Sequence, residues 1–359
     1  MKNYCASNSG GAYLHWNKTG KSWQDPLDRF MARGRCKLGR ASATLATVCA
    51  ALVGLSLLGG AAAQAETAQG TSPATPLQVR LGYPADAKLL ILNADDLAMS
   101  HSEDVASFAA LEQGWVSSAT VMVPCPWFTE VAAFAKAHPQ ADLGLHLTVT
   151  AEWETYRWGP VAPRNLVSSL VAADGYFYPD PTGVVAHAKP EEVEIELRAQ
   201  IDRAISMGLQ PTHLDAHMHA LYASPELFAV FIKVAREYKL PIRLARNEKL
   251  FQPRISQMMP GEPITDAIFS PGEDVPPSGW MDYYVNLVKS LQPGVTEVFV
   301  HLAKDDAETQ AIMVNHVGWG AAWRQREFDV ISSPSFRKAL DDNHVILIGW
   351  HDIRKLLKP

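Results

Sequence analysis

The sequence predicts a parallel α/β domain of about seven strands, arranged as an irregular or incomplete barrel of the TIM type. Short apolar runs of strand length alternate with helical patterns from Ala87 to the end of the chain. The runs are rich in Val, Ile and Leu and lack polar alternation, as is typical of parallel strands that are buried on both faces. Strands that alternate with helices in this way indicate one parallel sheet, either open or closed into a barrel.

The predicted strands are Leu89–Asn93, Ser118–Val123, Leu143–Val149, Thr212–Asp215, Ile242–Ala245, Glu297–His301 and Val345–Gly349. The clearest predicted helix is Pro190–Met207. Proline suits the first helical turn, the two glutamates that follow it favour the positive end of the helix dipole, and Gly208 can end the helix. Its apolar positions recur every four residues and predict one buried stripe, formed by Val193, Leu197, Ile201 and Ile205.

The first 65 residues differ in character from the rest. A basic segment that begins at Met31 precedes an uncharged, Ala- and Leu-rich stretch at 41–60 and then Ala63-Gln64-Ala65. These are the three parts of a secretory signal. We therefore expect translation from Met31, cleavage after Ala65 and export to the periplasm or the medium. A membrane anchor is the alternative, because the apolar stretch approaches the ~20 residues that span a bilayer.

After cleavage, residues 66–86 would form a linker and 87–359 a single domain, with no stable membrane span. The whole chain has a net charge of −6, and without residues 1–65 it keeps 24 Lys and Arg against 36 Asp and Glu. That acidic balance argues against a nucleic-acid partner, which requires a basic face. Only Cys125 of the four cysteines remains, so an internal disulfide is excluded. The oligomeric state is not determined by the sequence.

Polar residues stand at the carboxyl ends of the predicted strands. In parallel α/β folds these ends converge on one face, which carries the active site. Two carboxylates and several imidazoles would therefore meet in one pocket. The residues concerned are Asp95, Asp96, His146, His213, Asp215, His217, His219, Arg243 and His301.

Histidine and aspartate together are suitable ligands for Zn²⁺ or a similar divalent cation, and a catalytic zinc site uses three protein ligands. Such a cation acidifies water and polarises a carbonyl group. Asp95 and Asp96 project to different sides if the strand continues through them. One of them is then expected to face the metal and the other the water.

Each of these residues also has a purely structural interpretation. Asp96 could cap the helix that follows it, His146 could be a satisfied core histidine, and Arg243 could pair with a buried acid. Residues 151–189 contain several aromatic residues and no convincing helix, as expected of a segment that covers a site. Trp153, Trp158 and Tyr176 are candidates for saccharide binding, with core packing as the alternative.

Several motifs resemble those of the YdjC-like carbohydrate deacetylases. The resemblance covers residues 87–357, and the Pro-Thr-His-Leu-Asp-x-His run is its most specific part. The matching segments are Leu90–Leu97, Gly114–Val123, Gly144–Leu147, Pro211–His219, Arg326–Phe328 and Val345–Ile348.

The resemblance implies a barrel-like fold, one divalent metal ion and an N-acetylated sugar as substrate. By resemblance, Asp96, His146 and His217 bind the metal and Asp95 is the catalytic base. Zn²⁺ is favoured because imidazole is among its ligands, and Mg²⁺ is the alternative. His219 and His301 are rival candidates for the general acid. His213, Asp215 and Arg243 are expected to support the ligands or contact the substrate.

The chain departs from the family pattern at three places. Leu97-Ala98 replaces the usual Phe-Gly, Leu221 stands where a further histidine is common, and Leu-Ala rather than Pro-Gly follows His301. The metal ligands are retained. Two other functions are weighed against deacetylation. One is a different metal-dependent enzyme on sugars, such as a phosphoester hydrolase or an isomerase, although no phosphate-binding loop is evident. The other is a non-catalytic, exported sugar-binding protein.

Overall fold

The computed structural model describes residues 75–357, and the predicted export signal lies outside them. A seven-stranded parallel sheet has the order β4-β3-β2-β1-β6-β5, with β7 paired to β1. The first half of β1 pairs with β7 and its second half with β2. The strands are β1 Lys88–Leu97, β2 Ser118–Val121, β3 Leu143–Leu147, β4 Leu214–Ala216, β5 Ala267–Phe269, β6 Gly294–Val300 and β7 Val345–Leu347.

Isolated parallel bridges connect the two edges of this sheet. Leu214 in β4 pairs with Ile242, and Ala245 pairs with Thr265, which lies just before β5. The sheet therefore curls on itself, and the prediction of a barrel-like domain is confirmed. The prediction of a regular strand at Ile242–Ala245 is wrong, because only single bridges form there, and strand β5 was not predicted. Both segments are short and are flanked by Pro241 and Pro263, which cannot donate to a ladder.

Helices surround the sheet. Within the described residues they are α1 Leu77–Arg80, α2 His101–Glu112, α3 Phe128–Ala137, α4 Pro181–His187, α5 Pro190–Ser206, α6 Pro225–Glu237, α7 Gln252–Ile255, α8 Trp280–Ser290, α9 Ala307–Ile312, α10 Ala321–Ile331, α11 Pro334–Asp342 and α12 Trp350–Arg354. Four 3-10 helices lie at Arg164–Leu166, Ser168–Leu170, His217–Tyr222 and Pro277–Gly279. None of the helices in this part of the chain has the length and apolarity to span a bilayer.

Helix α5 confirms the predicted helix with one correction. It begins at Pro190 and buries Val193, Leu197 and Ile201 as predicted. Ile205 is exposed, and Ala204 is buried in its place. A repeat of four residues drifts around a helix of 3.6 residues per turn, so the fourth member of the stripe leaves the buried face.

The packed fold begins inside the segment predicted as a linker. Leu77 of α1 is buried against Leu89, Ile91 and Val295, in a small cluster that also includes Trp350. The short helix thus packs on one side of the strands β1 and β6.

The segment 151–189 is held to the barrel by polar contacts. The Glu196 carboxylate on α5 accepts hydrogen bonds from the backbone N–H groups of Val161 and Ala162, both at 2.9 Å. Gln200 bonds to both the N–H and the C=O of Thr148, at the end of β3. The segment therefore lies beside the carboxyl end of the sheet, and its last part forms helix α4.

Candidate active site

Three buried side chains converge at the carboxyl ends of β1, β3 and β4. Oδ1 of Asp96 lies 3.3 Å from Nε2 of His146 and 3.3 Å from Nδ1 of His217. The three possible ligand atoms lie within 4.8 Å of one another. Oδ1 of Asp96 is buried without a hydrogen-bond partner. A carboxylate oxygen and two imidazole nitrogens in this arrangement fit a divalent cation.

The outer nitrogen of each imidazole is held by a carboxylate. Nδ1 of His146 lies 2.6 Å from Oδ1 of Asp215, and Nε2 of His217 lies 2.9 Å from Oε2 of Glu152. Such contacts orient a metal-binding imidazole and leave its inner nitrogen free to bind. Burial lowers the pKa of both histidines, but the neighbouring carboxylates outweigh it. They raise the pKa of His146 well above its ordinary value and that of His217 to about 9.

Asp96 reaches the histidines because strand β1 is distorted there. Its φ of 68° lies in the left-handed region, and the pairing with β2 shifts register between Ala94 and Leu97. Ala98 has a φ of 78°, which is unfavourable for a residue with a Cβ atom. Asp96 does not cap the next helix, because the side chain of Ser100 does so.

Arg324 of helix α10 binds the other oxygen of Asp96, with Nη2 2.9 Å from Oδ2. Burial raises the pKa of Asp96, whereas the Arg324 charge and the two histidines lower it, and the net result lies well below the ordinary value. The carboxyl group is therefore ionised, as a metal ligand must be.

Asp95 lies in a different set of contacts. Nη1 of Arg243 donates to its Oδ2 at 2.8 Å and Nη2 donates to its Oδ1 at 2.7 Å. The same guanidinium contacts Asp215 at 2.6 Å and Glu297 at 2.9 Å. Burial raises the pKa of Asp95, but the charge and hydrogen bonds of Arg243 outweigh it and lower the pKa below its usual range. Asp95 is thus a buried, ionised carboxylate beside the candidate metal ligands.

His301, one of the two candidate acids, lies close to Asp96. Its Nε2 lies 3.9 Å from Oδ2 of Asp96, and Trp319 packs edge-on against its ring at 5.0 Å. Glu327 accepts a hydrogen bond from the His301 backbone N–H at 2.6 Å.

His219 lies among the rings of Tyr222, Phe251 and Phe299. Burial, followed by the charge of Arg243, lowers the pKa of His219 to about 3. The two histidines thus occupy different surroundings.

The remaining candidates divide between core and surface. His213 is fully buried and stacks on Trp350, with ring centroids 4.7 Å apart. Trp153 and Trp158 are 2% and 3% exposed, and their indole N–H groups bond to Met99 and to the Thr150 carbonyl. Among the three aromatic candidates only Tyr176 is open to solvent, at 38% exposure. Both tryptophans are therefore packed in the interior, as the alternative to saccharide binding predicts.

Four charged residues at the site were missed. Glu152 lies three residues beyond the predicted end of a strand, and Glu297 is the charged first residue of a predicted apolar strand, so both left a signal in the sequence. Arg324 and Glu103 lie on helices α10 and α2. Nothing in their local sequence indicates that Arg324 contacts Asp96 or that Glu103 pairs with Arg324.

The fold and the site define a parallel α/β barrel-like protein with a buried Asp/His group suited to a cation. A model of the YdjC-like protein family matches residues 89–342. The chain belongs to this family, and the predictions of the family and of an enzyme are confirmed.

The relatives and solved structures agree with this assignment. A carbohydrate deacetylase of Thermus thermophilus is 31% identical over 77% of this chain and 98% of its own length. A chitooligosaccharide deacetylase of Yersinia enterocolitica is 27% identical over 71% of this chain and 94% of its own. A crystal structure from Enterococcus faecalis, whose suggested role is cellobiose-phosphate cleavage, has a TM-score of 0.64 at 26% identity and covers 74% of this chain and 99% of its own.

Proposed function

We propose that this protein is a metal-dependent hydrolase that removes acetyl groups from N-acetylated amino sugars or short saccharides. The observation that carries the proposal is the Asp96, His146 and His217 group, in which Asp215 and Glu152 hold the outer nitrogens of the two imidazoles. The names of the relatives supply the substrate class, since they are carbohydrate and chitooligosaccharide deacetylases.

We favour Zn²⁺ over Mg²⁺ as the bound ion. Two of the three ligand atoms are imidazole nitrogens, which suit Zn²⁺, whereas Mg²⁺ takes mainly oxygen ligands and keeps several waters. When bound, the cation would acidify a water molecule and polarise the acetamide carbonyl group.

Asp95 is the proposed proton acceptor. The Arg243 guanidinium keeps it ionised, as a general base must be, although the same contact weakens its basicity. His301 is the proposed proton donor to the leaving amine, because its Nε2 lies 3.9 Å from Oδ2 of Asp96, whereas three aromatic rings surround the ring of His219. Burial of these groups keeps bulk solvent away from them and strengthens their charge interactions.

The proposal is tested by acetate release from a panel of N-acetylated saccharides, with and without a chelator. We expect acetate and a free amine, loss of activity with the chelator and recovery with added Zn²⁺. Phosphate release from sugar phosphates without acetate release would favour a different hydrolase. Saccharide binding without turnover in the metal-loaded protein would favour a sugar-binding protein.

We also propose that the protein works outside the cytoplasm. The basic segment, the apolar stretch and Ala63-Gln64-Ala65 support cleavage after Ala65. Sequencing of the N-terminus of protein from the extracytoplasmic fraction should begin at Glu66. Recovery of the intact 41–60 segment in the membrane fraction would indicate an anchor instead.

A further inference from the structure

Arg324 makes contacts in three directions, two of them to buried carboxylates. Nη2 contacts Oδ2 of Asp96 at 2.9 Å, Nη1 pairs with Glu103, and Nε donates to the Trp319 carbonyl at 2.8 Å. The guanidinium also lies over the ring of Trp153, with its carbon 5.7 Å from the ring centroid. Arg324 itself is 2% exposed. With every nitrogen engaged, the guanidinium has one stable position.

With Arg324 in this position, the two oxygens of Asp96 have different contacts. Oδ2 is occupied by Arg324, whereas Oδ1 faces His146 and His217 and has no hydrogen-bond partner. A carboxylate oxygen that accepts from a guanidinium has less electron density for a cation, so the other oxygen becomes the better ligand. Without that contact, the same carboxylate could turn and offer both oxygens.

The number of oxygen ligands matters differently for different cations. Zn²⁺ accepts a small set of nitrogen and oxygen ligands, often four in total. Mn²⁺ favours carboxylate and water oxygens in a larger, octahedral set. A second oxygen from Asp96 would therefore benefit Mn²⁺ more than Zn²⁺.

We propose that Arg324 is a positioning residue that restricts Asp96 to one ligand oxygen and thereby favours Zn²⁺ over cations that take more oxygen ligands. The inference rests on the proposed metal-dependent function, because it concerns the same three ligands. Glu103 in turn holds Arg324, since it is fully buried and pairs with the guanidinium.

The test is the ratio of the dissociation constants for Mn²⁺ and Zn²⁺ in the wild type and in Arg324→Gln. Zn²⁺ is titrated in competition with a chromophoric chelator, and free Mn²⁺ is followed by its paramagnetic resonance signal. Both ions carry two charges, so loss of the guanidinium charge changes both affinities alike and cancels in the ratio. We expect the ratio to fall about tenfold, a typical effect of removing a group that orients a metal ligand.

Two variants serve as controls. Arg324→Lys keeps a cation that can donate to Oδ2 and should restore most of the wild-type ratio. Arg254→Lys alters another buried arginine, whose Nε donates to the Tyr222 carbonyl, and should leave the ratio unchanged. If Arg324→Gln does not fold because Glu103 is left unpaired, the double variant with Glu103→Gln removes both charges and takes its place.

An unchanged ratio in the folded Arg324→Gln protein or in the double variant would overturn the proposal. That result is distinct from failure of the proposed function, because the wild type would still bind Zn²⁺. A wild type that binds neither ion would instead remove the metal-dependent function itself.

Discussion

The two ends of strands β3 and β4 carry the same residue types in different surroundings. At the amino end, Asp142 precedes β3 and His213 precedes β4. Oδ2 of Asp142 accepts the backbone N–H of His351 at 2.8 Å and lies 2.9 Å from Nδ1 of the same residue. His213 stacks on Trp350, and its ring would lie only 2.3 Å from a Cβ atom placed on Gly144. These contacts join the barrel to helix α12.

At the carboxyl end, His146 and His217 each have a carboxylate on the outer nitrogen and face Asp96 with the inner one. At the amino end, by contrast, burial and then the Arg243 charge lower the pKa of His213 well below its ordinary value, so its ring is neutral. The carboxylates act on His146 and His217 in the opposite direction. The same side chain thus serves packing at one end of a strand and belongs to the candidate metal site at the other.

The largest expected effects are at the carboxyl end, where substitution of the two adjacent aspartates should have different consequences for activity and metal binding. Asp95→Asn should lose roughly two to four orders of magnitude in kcat, the range that general-base catalysis contributes, while it keeps its metal ion. Asp96→Asn should instead lose the metal and be partly restored by excess Zn²⁺. Metal analysis and acetate-release kinetics on the same preparations measure both. If Asp95→Asn is the variant without metal, the two roles are reversed.

The next prediction compares one aspartate at the carboxyl end of the strands with one at the amino end. Asp215→Asn removes the carboxylate on Nδ1 of His146 and should weaken metal binding roughly 10–100-fold. Asp142→Asn is the matched control and should leave metal affinity unchanged while it lowers stability by about 1–3 kcal/mol, the cost of unsatisfied buried partners. Metal titration and chemical denaturation distinguish the two. Equal metal affinity in both variants would contradict the division between the ends.

A smaller effect is expected at the amino end when a histidine is exchanged at each end. His213→Phe keeps a ring against Trp350 and removes a nitrogen, Nε2, that is buried without a partner. We expect unchanged metal content and a stability change below about 1.5 kcal/mol. His217→Phe should abolish metal binding. Loss of metal from His213→Phe would show that the amino end also controls the site.

The smallest effect is a pH dependence of stability at the amino end. The hydrogen bond to Asp142 is the main reason that the pKa of His351 lies above its usual 6.5. A histidine with a raised folded-state pKa contributes stability that is fully present below the unfolded-state pKa and is lost as the pH rises through the folded-state value.

Thermal unfolding at several pH values measures this contribution. Wild type should have a higher Tm than His351→Gln at low pH and should lose this advantage as the pH rises above about 6.5. The difference should be on the order of 1 °C, because the His351 side chain is half exposed and its charge is well screened. A difference in Tm that does not change between about pH 6 and 9 would rule out this origin.

Prediction from the sequence succeeded where the signal was local. Six of the seven predicted strands overlap an observed strand, and helix α5 begins at the predicted Pro190. It failed at Ile242–Ala245, where neighbouring segments determine whether a ladder forms, and at β5. The prediction for the aromatic segment was incomplete for a similar reason, because burial of Trp153 and Trp158 depends on residues distant in sequence.

The sequence by itself determined the parallel α/β class, the family and the set of polar residues at the strand ends. This information is local, since buried strands are apolar runs and the ends of parallel strands lie on one face. Only the tertiary structure decided what each polar residue does. His213 and His217 are four positions apart, yet one stacks on Trp350 and the other faces Asp96. Arg324 meets Asp96 across more than two hundred residues, because charge contacts depend on distance in space and not along the chain.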